Sequence, residues 1–348
     1  MNILVTGGAG YLGSVLVPKL LIRGHAVRIL DVGYFGVGHI KSLHPPVTLI
    51  REDIRRIGTD KKFLEELLQG CECVVHLAAL SNDPSAELCP ELTEDINFRA
   101  TQALAAACKE RGARFIFSSS CSVYGKTDSE ASEDVPANPL TVYAASKVKS
   151  EQALGELSDA RWNPIILRNG TLFGYSPRMR FDLVINIFSL YSSLYNEIKI
   201  FGSGQEWRPF LHVKDCARAF VFFIEKPEAA HHIYNIAHEN VQVVDLVKIF
   251  QRINPHLRVS HLTAASQDER NYRVSTRRMH EEGFKTIVEL EYGTEELVEA
   301  IASGLIQDPE SIYYRNVKWL KELTEIGSKG HKEIITLMET LARLHSLH

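Results

Sequence analysis

The sequence predicts an α/β protein, a doubly wound parallel sheet followed by a smaller α/β lobe. Three observations carry that prediction. Short apolar runs and helical patterns alternate from residue 2 to about residue 168. The first apolar run ends in a glycine-rich loop that opens a helix. After about residue 170 the alternation breaks, and short strand-like runs, helices and arginines near turns replace it. The boundary is therefore drawn at residue 170, with a sheet domain over 1–170 and a second lobe with a helical tail over 171–348. One short run, residues 233–236, is expected to return to the main sheet.

Residues 2–6 (NILVT) form an apolar run ended by glycines, the pattern of a buried parallel strand. Gly7-Gly8-Ala9-Gly10-Tyr11-Leu12-Gly13 follows, then an apolar helix ending at Gly24, then AVRILD ending at Asp31. Strand, glycine loop, helix, strand and acid in that order mark a dinucleotide site. Gly7 permits the tight turn. Gly10 lets backbone reach a pyrophosphate at the helix N-terminus, and Gly13 lets helix and strand pack closely. Asp31 falls where a carboxylate accepts hydrogen bonds from the adenosine ribose. It would repel a 2′-phosphate, so NAD is expected over NADP.

A third strand over 47–51 leads to Asp53 and Ile54, where the acid either reaches the adenine or caps a turn. A fourth, over 72–76, is followed by Leu77, Ala78 and Ala79, and the small alanines let a cofactor lie close. His76 is expected to pack in the sheet. Ser81-Asn82-Asp83-Pro84 is a turn beside the expected crevice. A long helix is predicted over 91–111, and a fifth strand over 113–118 delivers Ser119 and Ser120. Gly7, Asp31, Asp53, Ala78 and Ser120 thus all stand at carboxyl ends of strands, where open parallel sheets bind ligands.

The reactive groups lie between Ser118 and Lys147. FSSSCSVYG is followed by a polar loop of about fifteen residues with two prolines, then by the helical TVYAASKVKSEQAL. Tyr143 and Lys147 are spaced i, i+4 and share a helix face. A tyrosine alone titrates near pH ~10, and a cation nearby is expected to lower that value. Ser120 is placed to hydrogen-bond the substrate oxygen whose proton Tyr143 takes. Such a device moves a proton on or off an alcohol or sugar oxygen while a cofactor carries the hydride. The YxxxK spacing is common by chance; its position after five strand ends gives it weight.

A sixth strand is predicted over 162–168, a helix over 176–195, short strands over 199–201 and 208–211, helices over 215–225 and 243–253, and an edge strand over 259–261. Arg178, Arg180, Arg208, Arg270 and Arg273 stand near turns. Scattered, they would be ordinary surface residues; clustered, they would clamp a second diphosphate. Beyond Leu305 two helical pieces are expected, with Ile334, Ile335, Leu337, Met338, Leu341 and Leu344 at helical spacing. Trp319 carries no chemical signal.

Composition excludes several classes. Apolar residues make up 45% and charged residues 24%, the mix of a globular protein. A net charge of −4 and the lack of a basic block give no case for nucleic acid. The apolar run over 181–195 is broken by Asp182, Asn186, Ser192 and Ser193, so a core helix is expected there and no membrane span. The start, MNILVTGGAG, lacks the features of a signal peptide. Six scattered cysteines and no histidine cluster predict no metal site, reduced thiols and a cytoplasmic protein.

TGGAGYLG, the terminal Asp31, Asp53-Ile54, HLAA, SSSCSVYG, YxxxK and RPFLHVKDCA, in this order, resemble the extended short-chain dehydrogenase/reductases. More narrowly, the chain is similar over roughly residues 1–304 to the NAD-dependent nucleotide-sugar epimerase/dehydratase family. The resemblance implies a Rossmann-type fold with a smaller substrate domain, and a homodimer. It implies that Gly7, Gly10, Tyr11, Leu12, Gly13, Asp31, Asp53, Ile54, Leu77, Ala78, Ala79, Ser118, Tyr143 and Lys147 bind NAD. Ser120, Tyr143 and Lys147 match the catalytic positions. Arg208 matches a family arginine on the diphosphate of a nucleotide-diphosphate sugar, and Arg270 is given the same role. Ser81, Ser120, Thr171, Arg178 and Arg180 complete the implied substrate site.

Three departures matter. The 4,6-dehydratases carry an Asp-Glu pair where this chain has Cys121-Ser122, which argues against water elimination. Thr171 replaces an asparagine of the galactose epimerases. SNDP, SPRMRFD and DERNYRVS resemble a branch of epimerases and dehydrogenases, some acting on GDP- or CDP-sugars. The leading expectation is epimerisation at C4 through a 4-keto sugar. The alternatives are a 4-dehydrogenase or 4-keto reductase and, from another class, a non-catalytic NAD-binding scaffold.

Overall fold

The computed structural model describes residues 1–262 and 269–327, with the backbone alone for 324–327. The expected stripe from Ile334 to Leu344 lies outside the described residues. The strands are β1 (Asn2–Thr6), β2 (Ala26–Leu30), β3 (Thr48–Ile50), β4 (Cys73–His76), β5 (Arg114–Ser120), β6 (Lys126–Ala131), β7 (Ile165–Asn169), β8 (Thr171–Phe173), β9 (Glu197–Phe201), β10 (Trp207–His212), β11 (Ile233–Ile236), β12 (Glu239–Gln242), β13 (Arg258–Leu262) and β14 (Asn271–Val274). Seven form one sheet in the order β11-β7-β5-β4-β1-β2-β3, and every pairing within it is parallel. The order reverses between β1 and β4, so the helices before and after that point cover opposite faces.

Alternation along the strands fills two cores. Ile3 and Val5 of β1 face one cluster, with Leu16 and Leu20 of helix Gly13–Ile22 and Phe220 and Phe223 of helix Val213–Glu225. Leu4 faces the other, with Leu67, Leu104 and Leu154 from helices Lys61–Leu68, Ala100–Arg111 and Val142–Leu157. The chain crosses between lobes more than once. Helix Val213–Glu225 and β11 belong to the sheet layers, although both follow residue 170. The second lobe holds the sheet β12-β10-β8 and the pair β13-β9, packed by helices Val184–Tyr195, Val243–Ile253 and Leu290–Ala302.

Several local expectations change. The helix expected over 91–111 is a short turn at Pro90–Thr93, a wider π-type turn at Glu94–Arg99, then Ala100–Arg111. Asn97 in the wide turn turns its side chain inward: its amide oxygen accepts from Leu80 N at 2.9 Å and its amide nitrogen donates to Ser146 Oγ at 3.0 Å. The polar loop after Gly125 contains β6, which pairs in parallel with β14 from the second lobe. Helix Val184–Tyr195 starts eight residues later than expected, because 176–183 is a series of bends and turns leading into it.

Candidate active site

The crevice lies where the strand order reverses, and opens into a cavity of about 860 Å³. That size suits a large ligand. Gly7 has φ +71°, and a Cβ there would stand 2.7 Å from Ala78 N. A Cβ on Gly13 would stand 2.5 Å from Gly8 O, so the first helix can sit on the loop only with glycine. Gly10 meets only Gly7 O at 3.2 Å, and its backbone lines the cavity beside Leu12, Leu77, Ala78 and Ala79. These are the features of a cradle that holds a pyrophosphate by backbone N–H groups.

Tyr11 also lines the cavity, yet its hydroxyl turns into the seam between the lobes. It donates to Gly174 O at 2.6 Å and accepts from Asn186 Nδ2 at 3.1 Å, while Ser176 Oγ donates to Tyr11 O at 2.8 Å. Asp31 accepts from Ala9 N at 2.9 Å and Gly33 N at 2.8 Å. Burial raises its pKa, opposed by those N–H groups and by Arg178. Asp53 caps the turn Ile54–Gly58 by accepting from Arg55 N at 2.9 Å, and pairs with Arg55 Nη2 at 2.6 Å. Asp53 and Ile54 still line the cavity.

Ser120, Tyr143 and Lys147 come together at the end of β5. Thr141 caps helix Val142–Leu157 by accepting from Ala144 N at 3.1 Å, which places Tyr143 in the first turn. The Ser120 hydroxyl stands near enough to the Tyr143 phenol to lower its pKa. Lys147, one turn further, donates to Ser118 O at 2.8 Å and lies 5.7 Å from the Tyr143 ring centroid. Glu151, one more turn on, pairs with Arg168 Nη2 at 2.6 Å and accepts from Ser119 Oγ at 2.5 Å. Asn169 Nδ2 donates to Ser118 Oγ at 3.0 Å. The two serines before Ser120, and the lysine, are therefore held from behind.

The charge state differs from the simple expectation. Burial pushes Tyr143 up to about 12, helped by Asp83 and opposed by Ser120, Arg180 and Arg270. Burial also lowers Lys147 to about 7, with Glu151 opposing. In this cleft, desolvation outweighs the Arg180 and Arg270 charges, and the tyrosine is a neutral phenol. His76 bonds Thr6 Oγ1 at 2.6 Å and Thr101 Oγ1 at 2.7 Å, and burial holds it down to about 3, so it is a neutral packing residue. Cys121 is fully buried, with its thiol donating to Arg168 O at 3.1 Å, and faces away from the cavity.

The second lobe supplies the opposite wall. Arg180 pairs with Asp182 at 2.8 Å and donates to Ser81 Oγ at 3.1 Å. Arg270 pairs with Asp83 at 2.6 Å, and the Thr141 hydroxyl donates to the same carboxylate. Arg208 donates to Trp207 O at 2.9 Å and to the Arg270 carbonyl. Thr171 lines this wall from β8. Arg178 stands apart from these groups, at the Asp31 end, with its guanidinium 3.8 Å from the Phe35 ring centroid. Sequence reasoning missed Asp83, Asn97, Asn169 and Asp182 as site builders. Only the turn SNDP hinted at one of them; the others gain meaning from partners far along the chain.

Fold and crevice together define a dinucleotide-dependent enzyme. Residues 3–237 match the NAD dependent epimerase/dehydratase family, and the chain belongs to that family. NAD is its cofactor, and the glycine cradle and Asp31 fit that group. An uncharacterized UDP-glucose epimerase of Bacillus subtilis, YtcB, is 30% identical, covering 76% of this chain and 85% of that protein. A UDP-glucose 4-epimerase of Corynebacterium glutamicum is 29% identical over 74% of this chain and 81% of its own. Among solved structures, the UDP-glucose 4-epimerase of Thermotoga maritima with UDP-glucose superposes with TM-score 0.78 at 26% identity, covering 88% of this chain and all of that one. The UDP-glucuronic acid 4-epimerase of Bacillus cereus, with UDP-glucuronic acid and NAD, gives TM-score 0.74 at 28% identity, covering 87% and 99%. Among the described residues no helix is long and apolar enough to cross a membrane, and no group of side chains could hold a metal ion.

Proposed function

We propose that the protein inverts C4 of a nucleotide-diphosphate sugar through a 4-keto intermediate. The observation that carries this reading is the pairing of a Ser120–Tyr143–Lys147 group with a wall on which the nearest acids are already engaged. Asp83 is paired with Arg270 and Asp182 with Arg180. The positions that hold acids in dehydratases are Cys121, turned into the core, and Ser122, also buried. The site is therefore equipped to take a proton from a hydroxyl and return it, and poorly equipped to eliminate water.

Bound NAD supplies the hydride acceptor and donor. Ser120 holds the sugar hydroxyl, and Tyr143 takes its proton. That transfer needs the phenolate, so the neutral phenol first gives its own proton to water, and Lys147, fixed on Ser118 O, stabilises the phenolate until the sugar proton turns it back into phenol. Arg208 and Arg270 hold the diphosphate so that the sugar alone can turn over and present its other face. Tyr143 then returns the proton. The relatives' UDP-sugars make a UDP-sugar the first substrate to try. A 4-keto reductase or 4-dehydrogenase would use the same residues with an exchanging cofactor. A homodimer in the cytoplasm accords with the family resemblance and with the six free cysteines.

The test is proton NMR of UDP-glucose, UDP-glucuronic acid and UDP-N-acetylglucosamine incubated with the purified enzyme. Inversion at C4 without net reduction of added NAD is expected for one of them, and Tyr143→Phe should slow it by roughly 10²–10⁴-fold. Stoichiometric NADH accumulation would assign a dehydrogenase instead. Unchanged turnover in Tyr143→Phe would remove the proposed base.

A further inference from the structure

The family match ends at residue 237, yet three cavity-lining residues come from a helix far beyond it. Helix Asn316–Gly327 places Asn316, Val317 and Leu320 in the wall of the cofactor crevice. Its attachments are specific. The Trp319 indole N–H donates to Tyr34 O at 2.5 Å, and Trp319 is buried among Tyr34, Phe35 and Tyr313. Asn316 Oδ1 accepts from Arg178 Nη2 at 2.5 Å, and that guanidinium lies on Phe35. Tyr34 and Phe35 follow β2 and Asp31, so this is the adenosine end. The helix also packs against the turn Asp83–Ala86, on the β4 side of the crevice. It spans the crevice from one bank to the other.

Arg178 is the hinge of this arrangement. It is buried, and burial lowers its pKa to about 9. Its Nε has no hydrogen-bond partner among the described residues. A buried guanidinium nitrogen without an acceptor is costly. At this end of the crevice, the polar groups of an adenosine diphosphate are the acceptors that could meet it.

We propose that helix Asn316–Gly327 is part of the cofactor site: a strap that closes the adenosine end, with Trp319 on Tyr34 as its latch and Asn316 setting Arg178 against the adenosine diphosphate. Release of the dinucleotide then requires the strap to lift, which exposes Trp319 and Leu323. The inference deepens the epimerase reading, because a cofactor under a closed strap is recycled in place. It rests on that reading only for this consequence, since strap and cavity are structural.

The experiment follows bound dinucleotide and needs no sugar. Full-length protein is loaded with isotopically labelled NAD and chased with unlabelled NAD, and the label retained is counted by mass spectrometry. Wild type should exchange slowly, with Trp319→Ala and Asn316→Ala each releasing label at least ~10-fold faster, the equivalent of about 1.4 kcal/mol. Trp319→Phe keeps a ring but loses the N–H and should fall between. It also serves if Trp319→Ala does not fold. Release rates of the folded variants within about twofold of wild type, or a wild type that exchanges as fast as they do, overturn the strap. C4 inversion measured in parallel keeps the two ideas apart: slow exchange without inversion leaves the strap standing and removes the epimerase.

Discussion

The two walls of the crevice are made of different material. The sheet wall is mostly backbone, with the Asp31 carboxylate at its end: Gly7 and Gly13 sit where a Cβ would stand 2.7 Å from Ala78 N or 2.5 Å from Gly8 O. The lobe wall is long side chains, with Arg180 on Asp182 and Ser81, Arg270 on Asp83, and Arg208 on carbonyls. Backbone cannot be retuned by substitution, so the sheet wall serves one invariant ligand, the dinucleotide. A wall of paired arginines can be re-paired residue by residue. Ser120, Tyr143 and Lys147 sit between the walls, on a strand end and a helix start that pack with the seven-stranded sheet.

The sharpest way to break this comparison is a methyl group on the sheet wall. Gly7→Ala must adopt φ +71°, at a cost of about 1–3 kcal/mol for a non-glycine residue. The clash with Ala78 adds about 1–3 kcal/mol of overpacking. The expected outcome is a lower denaturation midpoint and purified protein without bound NAD. A folded Gly7→Ala enzyme that retains NAD at wild-type stoichiometry would show that the sheet wall is not a tight cradle.

On the lobe wall the expected effect is smaller and falls on a different quantity. Arg270→Ala leaves Asp83 without its ion-pair partner and removes one of the charges that lower the Tyr143 pKa. kcat/KM for the nucleotide sugar should fall roughly 10–100-fold, the equivalent of about 1.4–2.7 kcal/mol. Bound NAD should be unchanged. Steady-state kinetics beside an NAD count on the same preparation check both halves. Loss of NAD with unaltered sugar kinetics would reverse the assignment of the walls.

The same contrast explains how much was legible in the sequence. The sheet wall is written locally: strand, glycine loop, helix and acid occupy residues 2–31, and their order alone places Gly7, Gly13 and Asp31. Tyr143 and Lys147 are local too, one helix turn apart. The lobe wall is written in pairs with long separations. Asp83 meets Arg270, Ser81 meets Arg180, and Asn316 meets Arg178. No spacing rule connects such partners. Strand β6, KTDSEA, has no apolar alternation and is a strand only because β14 runs beside it. Trp319 reads as an ordinary tail residue until Tyr34 is found beneath it. The pKa of Tyr143 was illegible for another reason: the sign of its shift depends on burial, which residue spacing does not report.

Tyr11 stands where the two walls join, and it offers the smallest and most discriminating change. The family pattern groups it with the cofactor loop, and it does line the cavity. Its hydroxyl, however, is spent on Gly174 O and Asn186, both in the second lobe. If the hydroxyl is a tie across the seam, Tyr11→Phe removes two buried hydrogen bonds and leaves Gly174 O without that donor. A stability loss of about 1–2 kcal/mol is then expected, with NAD affinity altered less than about threefold. Chemical denaturation and NAD titration measure the two separately. The opposite pattern, a tenfold loss of NAD affinity at unchanged stability, would make the phenol a cofactor ligand and return Tyr11 to the sheet wall. The ring itself stays in place in this variant, so packing around Gly174 is preserved. The hydroxyl alone is being asked which wall it serves.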